Sequence, residues 1–103
     1  MRNKLQSYLG FAAKSRKLVS GYDTCLNLIK AKKIKLILIT RDASEKTLER
    51  FRGLTENAGI PMYVMDRSSE IEAVTGISGR NIFGITDKNF AQAIAKEIEN
   101  MRM

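Results

Sequence analysis

Lys35–Thr40 reads KLILIT, and its last five residues are apolar or β-branched without a break. A run with no polar alternation suits a central strand covered on both faces, not a strand with one wet side. The flanking segments must then supply both covers. Upstream, Tyr22, Cys25, Leu26 and Ile29 recur at helical spacing, and that helix ends near Ala31 in the polar run KAKK. Downstream, Asp42 stands as the N-cap of a helix, with Glu45 reaching back. Leu48, Phe51, Leu54 and Ala58 form its apolar stripe, and Gly59 closes it in the left-handed conformation.

Further out the alternation continues. Pro61 precedes a strand MYVM, residues 62–65, at a position where its missing N–H does least harm. Ser68 or Ser69 caps a short helix running to Val74, and Gly76 ends it. NIFGIT, residues 81–86, is the last strand. Thr86 or Asp87 caps a final helix carrying Phe90, Ala91, Ile94, Ile98 and Met101. At the other end, Leu5, Tyr8, Leu9 and Ala12 mark a helix from about residue 3 to 14, and Leu18–Ser20 is a short extended piece. Helices alternating with strands in this way predict one α/β domain over residues 1–103. Its architecture is a three-layer α/β/α sandwich around a central four-stranded mixed sheet.

Composition closes several functional classes. The chain has 103 residues, 44% of them apolar and 28% charged, and no apolar run long enough to span a membrane. The patch YLGFAA stops at Lys14, too short for a signal-peptide core, so a cytoplasmic location without membrane attachment is expected. Histidine is absent and Cys25 stands alone among Leu26, Leu28 and Ile29, which removes the usual general base and any ordinary metal site. No nucleophile–base or carboxylate pair is visible either, so neither catalysis nor a cofactor is expected.

Charge is informative by its distribution. Arg2, Lys4, Lys14, Arg16, Lys17, Lys30, Lys32, Lys33 and Lys35 meet a single acid, Asp23, in the first 35 residues. The rest of the chain is nearly balanced, so the first third holds the entire net charge of +7. Segregation of this kind points to a polyanionic partner, nucleic acid before an acidic membrane surface.

Four segments can carry that chemistry. In LVSGYDTCLN, Gly21 permits positive φ and close approach of a ligand, and a helix N-terminus with free N–H groups follows. Arg16, Lys17 and Lys30 flank it, Tyr22 offers a ring, and Asp23, Thr24 and Asn27 offer hydrogen bonds. The same residues also read as a plain turn, with Ser20 or Asp23 a cap and Tyr22 part of the core. TRDAS, residues 40–44, lies at the carboxyl end of the central strand, where open α/β sheets bind ligands, and presents Arg41. MDRSSE, residues 65–70, repeats the arrangement with Arg67, Ser68 and Ser69, which also read as a solvated loop and cap. Finally, GISGRN, residues 76–81, has two glycines three apart, as KH modules do where they clamp RNA backbone. A strand follows here, so it reads as a helix stop and a turn, with Arg80 at most a phosphate contact. The first three segments are strand-to-helix junctions, and Lys17, Arg41 and Arg67 are expected on one continuous edge.

LGFAAKSRKLVSGYD, KLILITRDASEKTLERF, GIPMYVM and EIEAVTGISGRNIFGITD resemble, in order and spacing, the ribosomal protein superfamily that includes archaeal L-seven-Ae and L-thirty-e. The small bacterial YlxQ-like branch is the most similar in pattern. The resemblance spans nearly the whole chain. It implies a three-layer α/β/α sandwich and a non-catalytic protein that binds structured RNA, ribosomal or related, kink-turns being what the better-known members bind. It also implies a place in ribonucleoprotein or translation, with the ribosome or translation factors as further partners. The alternative is a protein-interaction module of the translation or transcription machinery. The family's kink-turn motif, Gly-x-Asn-Glu-x-x-Lys, falls on Gly21 to Asn27. Gly21 matches, while Asp23, Thr24 and Asn27 replace the asparagine, glutamate and lysine. Lys30, Lys32 and Lys33 are then the nearest cations to stand in for that lysine. In the family's second contact loop, Ile71-Glu72 replaces Leu-Gly.

Overall fold

A computed structural model describes residues 3–102; Arg2 of the basic segment lies outside them. The chain runs α1 (Asn3–Lys14), β1 (Leu18–Ser20), α2 (Tyr22–Lys30), β2 (Leu36–Thr40), α3 (Glu45–Ala58), β3 (Met62–Met65), α4 (Ser68–Thr75), β4 (Ile82–Ile85) and α5 (Lys88–Met101). The strands form one sheet in the order β1-β4-β2-β3. β2 and β3 are parallel, and β4 is antiparallel to both of its neighbours, β1 and β2. The sandwich with a four-stranded mixed sheet is therefore the architecture observed.

The KLILIT reading holds in atomic detail. All five residues of β2 are buried, and they divide by parity, as a pleated strand requires. Leu36 and Leu38 join a core with Leu5, Leu9, Ile71, Ile94 and Ile98, so α1, α4 and α5 cover that face. Ile37 and Ile39 join Cys25, Ile29 and Phe51, so α2 and α3 cover the other. Each such side chain contributes about 1.5–3 kcal/mol on burial, and β2 supplies four of them to two separate cores. Cys25 is buried among them, and burial pushes its thiol up to about 12, which leaves it unreactive as a nucleophile.

Helix ends depart from expectation at two places. Ser44, not Asp42, caps α3, its Oγ accepting from the Thr47 N–H at 3.2 Å. Asp42 instead reaches across to the next junction. Its Oδ1 accepts from the Ser68 N–H at 3.0 Å and its Oδ2 from the Ser68 Oγ at 2.7 Å. Neither Ser68 nor Ser69 caps α4; the cap residue is Arg67, which makes no side-chain cap bond, and the carboxylate comes from Asp42. A carboxylate that is near in space outcompetes a serine that is near in sequence. For α5 the choice resolves to Asp87, whose Oδ2 accepts from the Phe90 N–H at 2.9 Å.

Three helices end in the same closing motif. Beyond α1, the Lys17 N–H donates to the Ala12 carbonyl at 2.8 Å and the Arg16 N–H to Ala13 at 3.2 Å. Beyond α2, the Lys33 N–H donates to Leu28 at 2.9 Å and the Lys32 N–H to Ile29 at 3.0 Å. Beyond α3, Ile60 and Gly59 repeat the pattern on Thr55 and Glu56. This is the Schellman arrangement, whose left-handed position usually takes glycine. Gly59 obeys, at φ 69°, but the other two positions are held by Arg16 at φ 59° and Lys32 at φ 61°.

Candidate functional site

Because β4 runs opposite to the other three strands, the carboxyl ends of β1, β2 and β3 share one edge of the sheet with the start of β4. Hydrogen bonds stitch that edge together. The Gly21 N–H donates to the Ile82 carbonyl at 2.9 Å, Thr40 N–H to Asn81 at 2.9 Å, and Arg41 N–H to Met65 at 3.1 Å. The buried Thr40 hydroxyl donates to Asn81 Oδ1 at 2.9 Å, fixing the amide that opens β4. So the loops holding Gly21, Arg41, Arg67 and Arg80 form one surface.

Gly21 is the pivot of this edge. Its backbone, φ 104° and ψ 153°, lies in a region essentially reserved for glycine. A Cβ there would lie 3.8 Å from Arg80 guanidinium atoms, an ordinary contact, so conformation and not space is what requires the glycine. It leads into α2 as a cap residue with no side-chain cap bond, leaving the first-turn amides of α2 available. Gly21, Tyr22, Thr47, Gly79, Arg80 and Asn81 line a depression of ≈ 190 Å³ at this point. Positive ends of the backbone dipoles and a guanidinium thus meet at one concavity, which suits an anion.

Tyr22 is partly core and partly platform. Its ring packs edge-on against Phe51, centroids 5.2 Å apart and planes at 90°, yet 40% of the residue remains exposed. A ring anchored on one side keeps its orientation, so little entropy is lost when a base stacks on it. Asp23, Thr24 and Asn27 are exposed on the same helix, and Asp23 and Asn27 are one turn apart.

The third helix N-terminus on this edge is occupied. Asp42 places a negative charge on α4, and its carboxyl is held down to about 2, chiefly by the Ser68 hydroxyl. Ser68 therefore has both its amide and its hydroxyl engaged and does not present them to a ligand. Arg67 and Ser69 beside it are exposed.

Arg16, Lys17 and Lys30 belong elsewhere. Lys17 precedes β1, and its carbonyl accepts from the Thr86 N–H at 2.9 Å, after the far end of β4. It lies on the edge opposite Gly21, with Arg16 before it, so the expected grouping with Arg41 and Arg67 does not occur. Lys30 closes α2, and a nine-residue helix carries it about 13 Å from Gly21. Lys32 and Lys33 follow it to the same far edge and cannot replace a lysine in the first turns of α2. The cation that lies beside Gly21 is Arg80. Its sequence signal was the strand after it: a residue just before an antiparallel strand shares an edge with residues just after parallel ones, which requires knowing the strand order.

Among the described residues, no helix is long and apolar enough to cross a membrane, and no group of three acidic or cysteine side chains is set to hold a metal. The RNA-binding protein YlxQ of Enterococcus faecium is 29% identical over 98 residues, covering 95% of this chain and 94% of that protein. Its namesake from Bacillus subtilis is 29% identical over 86 residues, 84% and 86% of the two chains. These are names of RNA-binding proteins, not of enzymes. Among solved structures, a protein of unknown function from Bacillus halodurans superposes with a TM-score of 0.91 at 23% identity, over 95% of this chain and 99% of that one. The Giardia lamblia 15.5kD RNA binding protein superposes at 0.79 with 15% identity, over 96% and 85%. At those identities the structures speak for the fold alone. The sequence itself matches a family profile over residues 3–96, and the chain belongs to the Ribosomal protein L7Ae/L30e/S12e/Gadd45 family.

Proposed function

We propose that the protein is a non-catalytic RNA-binding module that takes structured RNA, ribosomal or related, at the Gly21 edge. The observation that carries this reading is the uncapped start of α2 behind a conformationally required glycine, with the Arg80 guanidinium over it and half-exposed Tyr22 beside it. Arg80, Arg41 and Arg67 take phosphates, Tyr22 stacks on an unpaired base, and Asp23, Thr24 and Asn27 meet base edges. An aspartate beside the helix start accepts hydrogen bonds from guanine amino and imino groups but repels phosphate. The face following Gly21 is accordingly a base reader, and the arginines around it are the phosphate binders. The membership of the family and the names of its relatives support RNA as the partner.

A kink-turn RNA is the first probe, because it presents unpaired bases beside a sharply bent backbone. Arg80→Ala is expected to weaken its binding roughly tenfold or more, the loss of one charge-assisted contact. It should also lower the slope of log affinity against log salt by about 0.9. Lys96→Ala, midway along α5 and exposed, serves as the control and is expected to leave both unchanged. Filter binding across a salt series reads both quantities; an Arg80→Ala variant that binds like the unsubstituted protein removes the proposed site.

A further inference from the structure

The edge opposite Gly21 carries more formal charge than the proposed site and has no role in it. Three cations come from Lys14–Lys17, four from Lys30–Lys35, and Lys88 opens α5 at the same edge; all are exposed. The two clusters are held together by the sheet. The Thr86 N–H donates to the Lys17 carbonyl at 2.9 Å, and the Lys35 N–H donates to the Ile85 carbonyl at 2.7 Å. Both clusters therefore flank the end of β4, their backbones two strand spacings, about 10 Å, apart. Next to them, Lys30, Lys32 and Lys35 line an open groove of ≈ 570 Å³ against the end of α3. The acids that the topology brings here are Glu56, in the last turn of α3, and Asp87, which caps α5. Among the described residues, none of the cations in the two clusters forms an ion pair.

Compensation of helix dipoles does not account for this. Three helix C-termini converge on the edge, each equivalent to about half a negative charge, while the two clusters bring seven positive ones. α3 ends without any basic residue in its last turn, so the fold closes a helix here without one. A second observation is independent of the count. Among the described residues six have left-handed or other positive φ: four are glycines, and the two that are not, Arg16 and Lys32, are both basic and both on this edge. Long cations stand where glycine is the unstrained choice, one in each cluster.

We infer that this edge is a second binding surface for the phosphate backbone of double-stranded RNA, so that one chain bridges two RNA segments. The two clusters contain no aromatic ring, unlike the Gly21 edge with Tyr22. Phe11, in the last turn of α1, is exposed beside the first cluster, but one ring stands against seven cations, so the surface recognises regularly spaced phosphates before unpaired bases.

The test uses a donor-labelled kink-turn RNA for the Gly21 edge, since bridging rests on the function proposed for that edge, and an acceptor-labelled blunt RNA duplex without loops or bulges for the basic edge. Energy transfer reads bridging, and sedimentation reads the number of each RNA per chain. The unsubstituted protein is expected to hold one of each at low salt. Arg16→Gly with Lys32→Gly removes one cation from each cluster while installing the residue those backbones prefer, so the variant folds. It is expected to lower the salt slope of duplex binding by about 1.8, and adding Lys17→Gln and Lys35→Gln by about 3.6, with the kink-turn RNA remaining bound. Arg80→Ala should leave the basic edge competent for a duplex. If the four-fold variant keeps the duplex with the original slope, or if no duplex binds at low salt, the inference fails. It fails also if the four substitutions abolish binding of polyglutamate while RNA binding is untouched, which would make the partner an acidic protein. Loss of the duplex in the basic-edge variants, with Arg80→Ala binding the kink-turn RNA like the original, would leave this surface standing and remove the Gly21 site instead.

Discussion

The two edges of the sheet meet positive φ in opposite ways. At the carboxyl ends of the parallel strands, Gly21 sits at φ 104°, ψ 153°, and the residue is the one that the backbone demands. At the other edge the backbone turns left-handed at Arg16 and Lys32, and the residues are ones that the backbone disfavours. The N-termini of α2, α3 and α4 gather on the first edge, and the C-termini of α1, α2 and α3, with most of the formal positive charge, gather on the second. Shape and amide groups dominate the first; charge dominates the second. Backbone economy explains Gly21 and leaves Arg16 and Lys32 unexplained, which is why the second edge is read through its charge.

The largest break in this comparison comes at Gly21. Gly21→Ala forces a Cβ into the glycine-only region and is expected to cost about 1–3 kcal/mol in urea unfolding. The open space available to an added Cβ gives no relief, since the strain is in φ itself. RNA binding should fall as well, because relaxing φ rotates the α2 amides away from the Arg80 depression. An alanine variant as stable as the original would mean that Gly21 serves no conformational purpose.

At the second edge the sign reverses. Alanine at Arg16 or Lys32 keeps the left-handed strain and loses the cation, whereas glycine loses the cation and relieves the strain. Glycine is therefore expected to be more stable than alanine at both positions by about 1 kcal/mol, opposite to the order in an exposed helix interior. Thermal unfolding of the four single variants decides it. Alanine equal to or better than glycine would remove the argument that these two positions are held against backbone preference.

Much of this was legible in the sequence, and what was not has a common cause. Periodicity located every helix and strand to within about two residues, because KLILIT and the helical stripes encode burial directly. Gly59 and Gly76 were readable as stops because left-handed closure favours glycine. The same rule hid Arg16 and Lys32, where the motif forms without it. What the sequence could not convey was which segments share an edge. Lys17 and Gly21 are four residues apart in the chain and sit at opposite ends of β1. Arg80 is 59 residues from Gly21 and lies against it. β1 alone separates the first pair, and the one antiparallel strand, β4, brings the second together. The charge count was sound, but charge near in sequence is not charge near in space.

Asp42 gives the finest test of the first edge, because it separates two helix N-termini that otherwise look alike. The start of α2 has no side-chain cap; the start of α4 is capped by a carboxylate held at about 2, below its ordinary 3.8, chiefly by the Ser68 hydroxyl. A depressed folded pKa means that the stabilising contribution is complete above the unfolded value. It is lost as pH falls from about 4 toward 2, as the folded carboxylate takes its proton. Asp42 is fully exposed, so this loss is small and screened by salt. Asp42→Asn should flatten that part of the stability curve while leaving neutral-pH stability nearly unchanged. Its effect on RNA runs the other way. Removing a negative charge from the start of α4, between Arg41 and Arg67, should tighten binding roughly two- to fivefold, the range for one charge at a helix N-terminus. Weaker binding would mean that the Asp42–Ser68 clamp orders the edge for RNA, so that geometry outweighs charge even where phosphates are met.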